Sequence, residues 1–124
     1  MIFIIKTDMI GVGKNNMVVT RSGMHFPKKG FVKFRNNVIE QLNKQKPSNW
    51  NPIGKHGHKW DFVYTPGDNR RRDLPAILDA LGHCLEKSGI VIDDQYIYDI
   101  MFVRKPTDKI NCGIVIGVDN EEVK

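Results

Sequence analysis

The stretch RRRDLPAILDALGHCLEKSGIVIDD, residues 70–94, contains the signals that decide the fold of this chain. Its apolar residues recur at helical spacings of three and four: Leu74, Ile77, Leu78, Leu81 and Leu85. Pro75 is tolerated in a first helical turn and Ser88-Gly89 supplies a stop, so the pattern predicts a helix over residues 74–88. The apolar run 90–92 is too short for another helix, so the chain must turn back along this one toward a sheet.

Charged side chains surround this predicted helix. Arg70, Arg71 and Arg72 precede it, Asp73 stands at its mouth, Asp79 lies within it, and Asp93 and Asp94 follow the turn. A divalent cation needs hard oxygen ligands and a phosphate needs positive neighbours, so the combination is typical of a nuclease. Gathered carboxylates repel one another, a cost that a bound Mg²⁺ removes. Asp73 has an alternative interpretation as a simple helix cap.

The remaining segments predict the other elements of one small domain. In chain order they are a strand at 2–7, a polar turn at 11–16, an amphipathic helix at 27–45, a loop at 46–57, and strands at 58–65, 96–104 and 112–118. We therefore predict a single domain, residues 1–124, of the α/β (α+β) class. Its order is β-α-β-α-β-β, with a four-stranded mixed sheet and two main helices.

The charge is divided unequally along the chain, whose formal net charge is +5. Residues 1–72 hold 14 Lys and Arg but 4 Asp and Glu, whereas residues 73–124 hold 5 and 10. A basic half predicts binding to a polyanion, with nucleic acid as the first candidate, although ordinary surface lysines are an alternative. Further candidate contacts to DNA phosphates are Lys14, Asn15 and Asn16 in the polar turn, and Lys28 and Lys29 at the start of the first helix. A plain turn and a solvated helix face are the alternative interpretations of these residues.

Several classes of protein are disfavoured. The Gly11-Val12-Gly13-Lys14 turn fits neither the Walker pattern nor the dinucleotide fingerprint. Cys84 and Cys112 lie far apart, without the spacing of a zinc or redox motif. The apolar start of the chain is interrupted at Lys6, before it could form a signal-peptide core or a membrane span. We expect a soluble, intracellular protein with no membrane contact.

The central motif resembles a known signature. The run Arg70-Arg71-Arg72-Asp73-Leu74, followed after one helix by residues 87–95, KSGIVIDDQ, is similar to the signature of the RusA family of Holliday junction resolvases, and the spacing fits without a gap. The resemblance extends more weakly to the first strand, to the turn at Lys14-Asn15-Asn16 and to Phe34-Arg35-Asn36-Asn37-Val38.

This resemblance implies a function. Members of the family are small, largely phage-derived, homodimeric endonucleases that use Mg²⁺ to cut four-way DNA junctions by paired nicks in recombination and repair, and Mn²⁺ is a possible substitute. It implies a cytoplasmic protein, nucleoid-associated or phage-encoded in a bacterial host. It also implies that Asp73 and Asp94 bind metal, that Asp93 is the adjacent acid, and that Arg72 belongs to the preceding basic run.

Two positions depart from the family pattern. The family commonly has Asp-Leu-Asp-Asn with a lysine four residues after the second aspartate, whereas this chain has Pro75, Ala76 and Asp79 there. Positions 75 and 79 lie one turn apart on the same helix face, and helical side chains tilt toward the N-terminus. Asp79 is therefore a candidate third metal ligand and catalytic residue, with a solvated surface residue as the equal alternative. His83, one turn further, could contact Asp79 or the scissile phosphate, or could simply be an exposed histidine.

Three hypotheses remain at this point. The first is a Mg²⁺-dependent, structure-selective endonuclease with Asp73, Asp79 and Asp94 as catalytic residues. The second is a catalytically impaired, non-enzymatic module that binds DNA junctions, because Pro75 replaces a ligand. The third is an intracellular interaction protein whose acidic pair merely ends a turn.

Overall fold

The computed structural model describes residues 1–12, 17–19, 23 and 25–119. The strands are β1 (Ile2–Lys6), β2 (Met17–Val19), β3 (His25–Pro27), β4 (Lys59–Thr65), β5 (Asp99–Arg104) and β6 (Gly113–Val118). The helices are α1 (Lys29–Gln45) and α2 (Leu74–Lys87), and a single 3-10 turn follows α2 at Asp94–Tyr96.

Four of the strands form one mixed sheet in the order β1-β6-β4-β5. The pairs β1–β6 and β4–β6 are antiparallel, whereas β4 and β5 are parallel. Parallel neighbours need a crossover connection, and here α2 supplies it. Strands β2 and β3 form a separate antiparallel pair.

The hydrophobic core lies between one face of the sheet and the two helices. Phe3 and Ile5 of β1 alternate with exposed residues, which is the pattern of a strand with one buried face. The core sides of α1 and α2 carry apolar residues at spacings of three and four, as an amphipathic helix requires. These buried helical residues are Phe31, Phe34, Val38 and Leu42 in α1 and Ile77, Leu81 and Leu85 in α2.

The β4-α2-β5 unit positions the charged residues of the central stretch. In parallel units of this kind the helix runs back past both strands, so the start of α2 lies beside the carboxyl ends of β4 and β5. The triple arginine occupies the connection from β4 to α2, between Thr65 and Leu74. The Asp93-Asp94 pair occupies the return from α2 to β5.

The predicted fold class, the four-stranded mixed sheet, the two helices and the order β-α-β-α-β-β are confirmed. Three details differ from the sequence prediction. Helix α1 begins at Lys29 because Pro27 belongs to β3, the β2–β3 pair was not predicted, and β5 begins at Asp99 because the 3-10 turn precedes it. Neither α1 nor α2 has the length and apolar composition to cross a membrane, and the described residues contain no other α-helix.

Candidate functional site

Asp94 lies directly against helix α2. A Cβ atom placed at Gly82 would be 3.4 Å from Cβ of Asp94 and 3.9 Å from its Oδ2. The 3-10 turn therefore packs against the helix at position 82, where an added Cβ would make ordinary van der Waals contact with Asp94. Asp93 fixes the turn, because its Oδ1 accepts a hydrogen bond from the backbone N–H of Gln95 at 3.0 Å.

Asp94 forms an acidic group with Asp79 and Asp93. The pKa of Asp94 is raised, first by desolvation, then by its hydrogen bond with Asp93, and then by the negative charges of Asp93 and Asp79. His83 acts in the opposite direction on this pKa. Asp79 and Asp94 are both exposed. Asp79, Asp93 and His83 therefore lie within electrostatic reach of Asp94, but they form no three-residue metal group with it among the described residues.

His83 is half-buried and lies on the α1 side of this group. Its ring centroid is 6.3 Å from that of Phe31. Its Nε2 is buried and has no hydrogen-bond partner within the described ranges. The side chain is therefore held by packing, and its influence on Asp94 is electrostatic.

Asp73 stands apart from the other three carboxylates. It occupies the N-cap position of α2, and its carbonyl oxygen accepts from the N–H of Ile77 at 3.1 Å. Its side chain makes no capping hydrogen bond and is exposed. The nine residues from Asp73 to Gly82 extend roughly 13 Å along the helix axis, so Asp73 does not reach Asp94 within one chain.

The separation of Asp73 affects the predicted metal site. Among the residues the structure describes, no three His, Cys, Asp or Glu side chains are arranged to share a metal ion. Asp79 lies beside Asp94 and not beside Asp73, because six residues, or roughly 9 Å along the axis, separate it from the N-cap. Asp79 therefore interacts with Asp94 and not with Asp73.

Arg72 is not available to phosphates in the way that was predicted. Its Nη1 and Nη2 donate to Oδ1 and Oδ2 of Asp68 at 2.8 and 3.1 Å, and Nη1 also lies 3.3 Å from the hydroxyl of Tyr64. The side chain is only 6% exposed. Arg72 holds the pKa of Asp68 at about 2, through this hydrogen bonding above all. Arg72 therefore stabilises the β4–α2 connection by pairing with Asp68 of the same connection. Arg70 and Arg71 are the exposed cations of the triplet.

A basic cavity of about 340 Å³ lies at the start of α2. Arg70, Arg71 and Arg104 line it together with the aromatic rings of Tyr64 and Phe102. The sequence prediction missed Arg104, because only the parallel register that places it beside Tyr64 brings it to this end of the molecule. The basic tip of a predicted strand, Arg104-Lys105, was the available signal.

The other predicted DNA contacts lie elsewhere. Lys28 is the N-cap residue of α1 and Lys29 is its first residue, and both are exposed. Lys14, Asn15 and Asn16 lie outside the described residues. Two comparisons with known proteins add no identification, because neither the protein-family models nor the curated proteins include a match to this sequence.

Proposed function

We propose that this chain is a metal-dependent, structure-selective DNA endonuclease that resolves four-way junctions by paired nicks, as its resemblance to the RusA family implies. One observation carries the proposal: helix α2 has exposed carboxylates on its flank and, at its start, the exposed Arg70 and Arg71, which have no ion-pair partner in the part of the chain that the structure describes. The axial distance from Asp73 to Asp79 is roughly 9 Å. Neighbouring phosphates of one DNA strand can therefore contact both the arginines at the start of α2 and the carboxylates on its flank.

The acidic group suits Mg²⁺ better than a transition metal. Mg²⁺ is usually held by one or two carboxylates, with water and substrate phosphates completing its coordination. Asp79 and Asp94 provide such a pair, and Asp93 stands next to them. A site of this kind would be completed by phosphate oxygens of the bound DNA. Mn²⁺ has the same preference for oxygen ligands.

The side chains of the chain have distinct roles in this proposal. When bound, the metal ion lowers the pKa of water and stabilises negative charge on the phosphate. Asp79 and Asp94 would hold that ion, and Asp93 keeps Asp94 in place through the 3-10 turn. Arg70 and Arg71 would bind phosphates next to the one that is cut. Asp73, exposed at the mouth of α2, lies between these two groups along the helix.

We also propose that the protein acts as a homodimer in the cytoplasm of a bacterial cell. The sheet face opposite the helices carries an exposed apolar band, and we call this face the open face. Ile4, Val115, Val63 and Val103 stand side by side on it across all four strands. In the next row Ile2 and Met101 are 62% and 65% exposed, and the exposed Asp61 stands between them. Two active sites related by a two-fold axis suit a substrate in which two strands are cut.

The first experiment is a nicking assay on a labelled synthetic four-way junction, with linear duplex of the same sequence as the control. We expect Mg²⁺-dependent cutting that prefers the junction and falls by at least about 100-fold in Asp94→Asn. Glu86→Gln, which removes a carboxylate from α2 two turns beyond Asp79, is the matched control. Intact junction DNA in both Mg²⁺ and Mn²⁺ would sink the proposal.

A second function is supported by the position of Asp73. Because Asp73 lies roughly 13 Å along α2 from Asp94, and Pro75 stands where the family has an acid, a junction-binding module without turnover fits the same geometry. This candidate predicts tight binding that weakens with salt, and no nicks in any metal. Recording binding by gel shift in the same assay separates the two functions.

A further inference from the structure

The basic cavity at the start of α2 has an aromatic wall. Phe102 forms this wall, and its ring is 6.4 Å from Phe62 and 6.2 Å from Tyr64, between ring centroids. The two neighbouring rings fix the position of Phe102, which is half-buried. The cavity therefore offers an aromatic surface that needs no rearrangement before a flat ligand stacks on it.

The cations around the cavity are free to bind an anion. Within the described ranges, none of the guanidinium groups of Arg70, Arg71 and Arg104 has an ion-pair partner. The nearest carboxylate, that of Asp68, is already held by Arg72 through two hydrogen bonds. The Arg72–Asp68 pair thus keeps the positive charge of its neighbours available. Arginine is well suited to bidentate contact with phosphate.

We propose that this cavity binds one unpaired nucleotide of the DNA substrate, with its base stacked on Phe102 and its phosphate held by Arg104 and Arg70. This inference rests on the proposed function and extends that function by naming the recognised feature of the substrate, an unpaired nucleotide. A volume of about 340 Å³ is close to the lower end of ligand sites and accommodates a single nucleotide, not a duplex. A base can enter such a cavity only after it has left the helical stack.

The location of the cavity supports this assignment. It lies outside the carboxyl ends of the parallel strands β4 and β5, the usual place for a ligand in a β-α-β unit. From there to Asp79 the helix extends roughly 9 Å, so the nucleotide would be held within a few phosphates of the acidic group. At the branch point the strands exchange partners and continuous stacking is interrupted, so a base there leaves the stack at a lower cost than a base in linear duplex. The cavity therefore gives structure selectivity a physical basis.

Binding to single-stranded DNA in chelator tests the inference without any need for cutting. Fluorescence anisotropy would compare an oligothymidylate about twelve nucleotides long with an abasic strand of equal length and charge. We expect the strand with bases to bind at least about fivefold more tightly, which is the effect of one stacked base. Equal affinities for the two strands would overturn the proposal, whether or not the protein cuts junctions.

Two variants assign the effect to the cavity. Phe102→Leu should remove the preference for bases and leave the affinity for the abasic strand unchanged. Arg104→Gln should weaken the binding of both strands and reduce the slope of log affinity against log salt by about 0.7, the value for one phosphate contact. Lys105→Gln is the matched control, since it removes the same charge from the next residue, whose side chain faces the other side of the sheet.

The outcomes separate this site from the alternatives. If Arg104→Gln and Lys105→Gln change the slope equally, the basic surface is diffuse and the cavity is not a specific site. If thymidine monophosphate displaces the oligonucleotide at micromolar concentration, the cavity is a site for free nucleotides and the assignment to DNA is wrong. Because Arg104 is exposed, its variant keeps the test valid even if Phe102→Leu unfolds.

Discussion

Arg72 is the residue whose role differs most from its neighbours in the triplet. Replacing it with glutamine removes two charge-assisted hydrogen bonds to Asp68 and one contact to Tyr64. We expect the Tm at pH 7 to fall by roughly 3–6 °C. Arg71→Gln removes the same charge from an exposed side chain, so it should leave the Tm nearly unchanged. Equal losses in the two variants would mean that net charge, and not the Arg72–Asp68 pair, stabilises the fold.

The effect of Arg72→Gln should depend on pH in a defined direction. The pKa of Asp68 is lowered from 3.8 to about 2 in the folded protein. A depressed carboxyl pKa stabilises the folded state fully above its unfolded value, and this contribution is lost as pH falls through the folded value. The difference in stability between wild type and Arg72→Gln should therefore shrink between pH 4 and pH 2, as measured by urea unfolding.

Asp94 should show the opposite dependence. Its pKa is raised in the folded state, so the folded protein binds the proton more tightly than the unfolded chain does, and stability decreases as pH rises through this range. Asp94→Asn should therefore raise the free energy of unfolding at pH 7 by up to about 0.5 kcal/mol, a small value because the carboxyl is largely exposed. At pH 3, where both states are protonated, the gain should vanish. A loss of stability at pH 7 would contradict the like-charge arrangement.

At the scale of elements, α1 covers the outer edge of β1 with side chains. The amide groups of Gln41 and Gln45 both donate to and accept from the strand: Gln41 bonds N–H and C=O of Lys6, and Gln45 bonds those of Ile4, at 2.7–2.8 Å. Unpaired edges invite association with other chains, so these glutamines protect the sheet. The other edge strand of the sheet is β5.

Removing both glutamines should expose this edge. We expect Gln41→Ala/Gln45→Ala to lower the free energy of unfolding by about 1–3 kcal/mol, since each lost hydrogen bond contributes about 0.5–1.5 kcal/mol and water replaces part of it. Light scattering on heating should rise earlier than in wild type. Asn43→Ala, a change on the exposed side of the same helix, is the control. Unchanged stability and aggregation would show that water satisfies the edge equally well.

The elements were largely predictable from sequence, while the site was predictable only in part. Periodic apolar residues identify α1, α2 and the four strands, because burial of one face imposes the period. The sequence of 124 residues contains no comparable signal for which side chains of different helices and strands contact one another. The contact of Gly82 with Asp94, the distance of Asp73 and the place of Arg104 depend on register and packing. The Arg72–Asp68 pair depends likewise on the loop conformation, because an i,i+4 spacing indicates contact only within a helix.

At the scale of the whole molecule, the predicted site and the apolar band of the sheet lie on different sides. The acidic group and the basic cavity lie along α2, whereas the open face carries the exposed apolar band. Four strands about 4.8 Å apart and five residues long give this face dimensions of roughly 19 by 17 Å. Monomeric proteins rarely expose an apolar patch larger than a few hundred Å². The whole face, roughly 320 Å², lies within that range, so its size alone does not require a partner, and the proposed dimer rests on the two strands to be cut in the substrate.

The dimer proposed on this basis has a direct test. We expect light scattering after gel filtration to give twice the 14.2 kDa of one chain, and Ile4→Lys to give one chain. A two-fold axis places the new lysine in the apolar contact twice, and each buried cation costs several kcal/mol in desolvation. Ile92→Lys is the matched control, because Ile92 is 63% exposed but lies outside the sheet. Dimers of Ile4→Lys would exclude the open face, whereas a wild-type monomer at tens of micromolar would exclude the dimer itself.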